Sequence, residues 1–437
     1  MRFLTKNEHF LEVIKGSSFV LLAKVAATVF SMISGLIMAR YYGAEVVGIL
    51  AIINSALSIS VIFGVMGSNV AILRLVPEYI ERFSISHAYA VYKKVLLLVI
   101  FMSSIIGGIL YLLAPWIALS IFDKKILISF FMIASPFVLV LAVNSLNSET
   151  LRALQNIKKY ALMQLFSSVM IVVMLAITTY SFYYRYNPIY IMLGVNLLMM
   201  PLLFFMVGKS FAVLKKKKSK ISTTEIISLS FPMFLTSVMH LVIGQTDLIM
   251  LGCMSTTRDV GIYSIALKLA MLTSFILVAV NSMVAPKFAQ LYHSGQMDDL
   301  KIVAQNSAKL VFFATFPVVL VYSFLGTYVL KLFGNDFVEG VYVLIFLVLG
   351  QFINAAAGSV GYFLDMTGNQ VLFQKIVMFG AGLNIFLNFI LIPRYGINGA
   401  AFASMVSIGS WNIIAAVTIK MKYGFFISYF PRIRKAS

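Results

Sequence analysis

The sequence predicts an all-α membrane protein of about twelve transmembrane helices in two six-helix bundles, and three observations carry that reading. Apolar runs long enough to cross a bilayer, which takes about 20 residues, follow one another along most of the 437-residue chain. Hydrophobic residues make up 61% of the chain and charged ones only 11%, too few to cover a water-soluble domain. The basic residues behind the net charge of +19 collect in alternate loops, so they read as a topology signal rather than as a nucleic-acid footprint.

The first span is expected at 17–40. Its apolar run, Gly16 to Ala39, is too long for a cleaved signal peptide and leads to Arg40 instead of a small-residue cleavage site. A tight hairpin leads into the second span at 46–73, which holds no charged side chain. Four more follow at 90–112, 126–148, 160–182 and 188–209. The longest charged stretch, Lys209 to Glu225 with Lys215 to Lys218 at its centre, then interrupts the series. It divides the chain into an N-terminal bundle at 1–211, a basic linker at 212–225 and a C-terminal bundle at 226–437. The second half continues with spans at 227–252, 260–285, 303–330, 338–364, 371–393 and 397–419. Pro136, Pro201, Pro232 and Pro317 are expected to bend their helices.

An internal echo supports the two halves. Ile37-Met38 followed by Val47-Gly48-Ile49 recurs as Ile249-Met250 followed by Val260-Gly261-Ile262, with one inserted residue. Halves of six spans each suit parallel repeats related by an axis along the membrane normal. An even number of spans puts both termini on one side, where the termini, loops and adjoining helix ends hold 25 Lys and Arg against seven opposite. The positive-inside rule makes that side cytoplasmic.

Several chemistries are excluded. The only cysteine is Cys253, so no disulfide framework or multi-thiolate metal site can form. The chain carries no phosphate-binding loop of the Gly-x-x-x-x-Gly-Lys-Ser/Thr kind, and hence no sign of direct ATP use. Asp298-Asp299, the only adjacent acidic pair, lies beside Lys301 in a short loop and reads as a solvated face. No cofactor or metal is expected, and a transporter is expected rather than an enzyme.

Ionisable groups within spans are costly and mark function by default. Lys24, Asp247 and Lys268 stand out. At 1.5 Å per residue, Lys24 lies about 24 Å from the outer end of its helix. Asp247 and Lys268 flank one hairpin at about 8 and 12 Å depth, which permits either a structural ion pair or a working site. His240, Gly244 and Asp247, spaced i, i+4 and i+7, share a helix face. That face carries two groups that can take up protons, an imidazole and a carboxylate, and could form a proton-coupling site, the other reading being that His240 only hydrogen-bonds a neighbouring carbonyl. Amide side chains recur in the spans, Asn144, Asn147, Asn384 and Asn388 among them; interhelical hydrogen bonds account for most.

Ala39-Arg40 with Gly43 and Gly48, Asp247 followed by Gly252, and Val260-Gly261-Ile262-Tyr263 with Ala266 and Lys268 make up a pattern. It continues with Pro286 and with Gly396 and Gly399-Ala400-Ala401. In these residues the chain resembles the polysaccharide repeat-unit flippases (O-antigen type, Wzx-like) of the multidrug/oligosaccharidyl-lipid/polysaccharide exporter superfamily. The resemblance implies a MATE-like pair of six-helix bundles opening alternately to either side of a bacterial cytoplasmic (inner) membrane. Its implied cargo is a lipid-linked oligosaccharide of the undecaprenyl diphosphate type, bound for lipopolysaccharide and similar polymers. Membrane lipids, a polysaccharide polymerase and a chain-length regulator are the implied partners. Lys24 and Lys268 would hold the diphosphate, with Arg40 at the outer exit, while Asp247 and His240 would couple ions. A cation-coupled multidrug or metabolite exporter would share the topology and the acidic site. A membrane polymerase or ligase would need a long exposed loop, and none exceeds about 20 residues on any boundary choice.

Overall fold

A chain in hydrocarbon must pair every backbone N–H and C=O within itself, which leaves long helices as the solution for apolar runs of this length. The computed structural model describes residues 2–211 and 222–428, with side chains in the first helix from Leu22 onward, and every regular element among them is helical. In chain order these are α1 (Arg2–Val65), α2 (Ser68–Arg82), α3 (Ile85–Trp116), α4 (Ile126–Ala134), α5 (Phe137–Ala153), α6 (Ile157–Ser181) and α7 (Asn187–Phe211). There follow α8 (Thr223–Met254), α9 (Thr257–His293), α10 (Met297–Phe333), α11 (Val341–Ala357), α12 (Val360–Met366) and α13 (Gln370–Tyr423).

Nine described helices are long and apolar enough to cross a bilayer, and the pair α4 and α5, bent by 45°, makes a tenth span. Two of the ten are double. Gly43 in α1 (φ +80°) and Gly396 in α13 (φ +55°) leave the helical region, each separating two arms long enough to span. Counting both arms gives twelve spans among the described residues, the number read from the sequence.

Packing divides the chain into two units, Met1–Leu241 and Val242–Ser437. The boundary falls inside α8, so the first helix of the C-terminal half starts in one unit and ends in the other. The linker expected at 212–225 lies, for residues 212–221, outside the described residues. In the first unit α2, α3, α5 and the end of α7 close over a core that includes Ile72, Val76, Val91, Tyr92, Leu146 and Phe211. In the second, α9, α10, α11 and α13 pack together, with Phe288, Leu300, Ala308, Phe363 and Ile419 in the core.

Two expected spans end early. The run at 46–73 stops at Val65, where Met66 (φ +45°) and Gly67 (φ +75°) turn the chain into the amphipathic α2. A Cβ on Gly67 would stand 2.4 Å from the Ser230 carbonyl oxygen and 2.5 Å from the Phe234 nitrogen, so the break lets α8 cross at backbone contact. The run at 338–364 breaks at Gly358 (φ +76°), where a Cβ would meet that of Ala308 at 2.6 Å. The bend expected at Pro136 is present between α4 and α5.

Candidate functional site

The second unit builds a polar cluster around a carboxylate from two hairpins. The first joins α8 to α9. Thr256 caps α9: its hydroxyl accepts from the Asp259 N–H at 3.1 Å, and the Asp259 carboxylate accepts from the Thr256 hydroxyl (2.8 Å) and N–H (3.3 Å). Such a capping box fixes where a helix starts, and here it sets Tyr263 opposite Asp247 across the hairpin. The second hairpin is the reversal at Gly396 within α13. A Cβ on Gly399 would meet the Leu391 carbonyl oxygen at 2.4 Å, so its absence lets the two arms close and bring Ser404 alongside Asn384 and Asn388.

Asp247 sits where the hairpins meet. Its Oδ2 accepts from the hydroxyls of Tyr263 (2.5 Å) and Ser404, and its Oδ1 from the side-chain amides of Asn388 (2.7 Å) and Asn384 (3.1 Å). An ionised carboxylate is acceptor-only, with about four lone-pair sites, and four donors fill them. Asn388 also donates to the Asn384 Oδ1 at 3.1 Å. Tyr263 and Asn388 are fully buried and Ser404 nearly so. One acceptor is left over: the buried Asn388 Oδ1 has no hydrogen-bond partner.

Four uncharged donors hold the carboxylate, and Lys268, a half-buried residue on α9, is not among them. His240 lies on the exposed side of α8, in the first unit, and is not a partner of Asp247. Lys24 and Arg40, both exposed on α1, also belong to the first unit. Tyr263 stood in the sequence only within the family pattern, with no role given to it, Ser404 was not singled out, and Asn384 and Asn388 stood only among recurring amides. Their i, i+4 spacing was the available signal, since it puts two amides on one helix face.

Chemically the cluster suits a hard monovalent cation. Asp247, Tyr263, Asn384, Asn388 and Ser404 bring only oxygen acceptors once the amides turn their carbonyls inward, and a carboxamide presents either end with little change of shape. A single carboxylate balances a single positive charge. Divalent ions generally draw more carboxylates, and no group of three or more His, Cys, Asp or Glu among the described residues could hold a metal ion. The Asn388 Oδ1 is one acceptor a cation could use, since it is buried without a partner, which costs about 1–3 kcal/mol.

Comparison with known proteins gives matches along both halves. Residues 13–292 match the polysaccharide biosynthesis protein family, and residues 232–390 match the MatE family. A probable low-salt glycan biosynthesis flippase, Agl15, of Haloferax volcanii is 28% identical over 188 residues. That alignment takes in 40% of this chain and 39% of the relative, so the chain spans about two-fifths of its length. Among solved structures, an inward-facing multidrug resistance MATE family transporter of the MOP superfamily superposes with a TM-score of 0.72 at 14% identity, covering 91% of this chain and 94% of that one. The lipid II flippase MurJ, in an inward closed conformation, gives 0.71 at 18% identity, covering 92% and 88%.

Proposed function

The chain belongs to the polysaccharide biosynthesis protein family, and from that premise we propose that it is a flippase. It carries a lipid diphosphate-linked oligosaccharide repeat unit, of the O-antigen type, from the cytoplasmic to the outer leaflet by alternating access. The family match over 64% of the chain carries this reading. The basic asymmetry between its loops supports cytoplasmic termini.

A flippase without ATP needs a gradient, and the Asp247 cluster supplies a place to use one. A sodium-sized cation entering it replaces four donors by a direct charge partner. The two arms of α13 would then draw toward α8, and this couples ion occupancy to helix position within the second unit. Lys24, Lys268 and Arg40 are the basic residues this reading assigns to the diphosphate, and the coupling site is built on Asp247, with His240 not among its hydrogen-bond partners. The isoprenoid tail remains in lipid.

Deletion of the gene in its native organism tests the reading. Loss of surface polysaccharide, with lipid-linked single repeat units accumulating on the inner face of the membrane, is the expected result. Intact polymer with raised sensitivity to cationic drugs would replace it by the second reading, a cation-coupled multidrug or metabolite exporter. The match of residues 232–390 to the MatE family favours that alternative over a polymerase or ligase.

A further inference from the structure

In the first unit an open groove of about 330 Å³ lies between α3 and α7. Its floor is Gly208, where an added Cβ would meet nothing within 4 Å. One end holds Lys93, whose ammonium stands 4.3 Å from the centroid of the Tyr89 ring. No carboxylate pairs with Lys93 among the described residues. One helical turn farther into the membrane the walls become wholly apolar: Leu96, Leu97 and Phe204. The back wall is fixed, because the Tyr92 ring packs at a tilt against Phe211, centroids 5.5 Å apart, and its hydroxyl donates to the Asn147 Oδ1 at 2.6 Å.

The groove thus has the polarity of an amphiphile, cationic at its mouth and hydrocarbon within. Its mouth opens among the basic helix ends of the unit, with Lys94 and Lys209 as sequence neighbours of its lining residues. The Lys215 to Lys218 run begins four residues after Phe211. Basic pockets between membrane helices on this side of a bilayer recognise anionic head groups.

We propose that the groove is a binding site for an anionic glycerophospholipid of the surrounding leaflet, its phosphate on Lys93 and an acyl chain along Leu96, Leu97 and Phe204 over Gly208. A zwitterionic choline lipid fits poorly. The aromatic face that would take its quaternary amine is already covered by the Lys93 ammonium, and no carboxylate is at hand. A free phosphate would gain nothing from the apolar half. Which leaflet this is rests on the topology proposed above; the site itself does not depend on what the protein transports.

The test uses the full chain in nanodiscs of equal phosphatidylglycerol and phosphatidylcholine, released for native mass spectrometry. Phosphatidylglycerol should be retained in clear excess over phosphatidylcholine. Lys93→Gln and Gly208→Leu should each lower the retained fraction at least five-fold, while Lys93→Arg keeps it and the remote Lys331→Gln leaves it unchanged. Equal retention of the two lipids, or a Lys93→Gln protein that retains phosphatidylglycerol as the wild type does, overturns the proposal. So does displacement of the lipid by millimolar inorganic phosphate, which would mean an anion site without a lipid. Should Gly208→Leu fail to fold, Lys93→Gln decides alone, because it alters only a partly exposed charge.

Discussion

A charged carboxylate costs about 2.5–3.5 kcal/mol to place at the centre of a membrane helix, and Asp247 offsets that with hydrogen bonds from Tyr263, Asn384, Asn388 and Ser404. The expected consequence is selective loss on mutation. Asp247→Asn should remove any sodium-dependent rise in melting temperature of the purified protein, with potassium inert in both forms; a sodium response surviving in Asp247→Asn would place the ion elsewhere. Tyr263→Phe deletes one donor from a fully buried position and should lower stability by about 1–3 kcal/mol, read as a shift in the melting curve. For the diphosphate, Lys24→Arg should retain transport and Lys24→Ala lose it; equal activity of the two would take Lys24 out of the binding set. The acid was legible in the sequence because a carboxylate in an apolar run is costly and so stands out, even though a structural ion pair with Lys268 was an equal reading there. Tyr263 and Ser404 were not, since a phenol and a hydroxyl carry little insertion penalty and their pairing runs across hairpins that no periodicity reveals.

Helices make these contacts only because two hairpins hold them in register. Gly399 is the narrowest point, so Gly399→Ala forces the arms of α13 apart at the Leu391 carbonyl. Overpacking of this kind costs about 1–3 kcal/mol, and the same variant should lose its ion response. Gly382→Ala lies on the same helix where an added Cβ meets nothing within 4 Å, and should change neither property. Similar loss in both variants would mean that α13 is sensitive to alanine in general rather than at the hairpin. Span number and order were readable from apolar run lengths, and the Pro136 bend from the missing N–H and ring of proline. The breaks at Gly67 and Gly358 were not, because a glycine inside an apolar run looks like span interior until a crossing backbone demands a positive φ. The same holds for α2, whose apolar face faces core rather than lipid and so merged with the preceding span in the sequence reading.

For the whole molecule the strongest sequence signal is the uneven distribution of its basic residues, 25 in the loops, termini and adjoining helix ends of one side against seven on the other. It predicts that both termini stay inside. Replacing Cys253 and introducing single cysteines should label positions such as Arg185 and Lys331 from outside and positions such as Lys158 and Lys301 only after permeabilisation. The reverse pattern would invert the direction of transport. What the sequence could not convey is the division of labour along α8, which packs with the first unit up to Leu241 and carries Asp247 in the second. A charged run at 212–225 reads as the natural boundary, and the two packing units divide at Leu241, sixteen residues past its end, with the start of α8 lying against Gly67.

The most direct test is transport by the purified protein in liposomes loaded on one leaflet with the native organism's lipid diphosphate-linked repeat unit, under an imposed sodium gradient. Gradient-dependent appearance of the repeat unit on the opposite leaflet, abolished in Asp247→Asn, is the predicted result. Movement of cationic dyes with no transfer of the lipid-linked unit would contradict it.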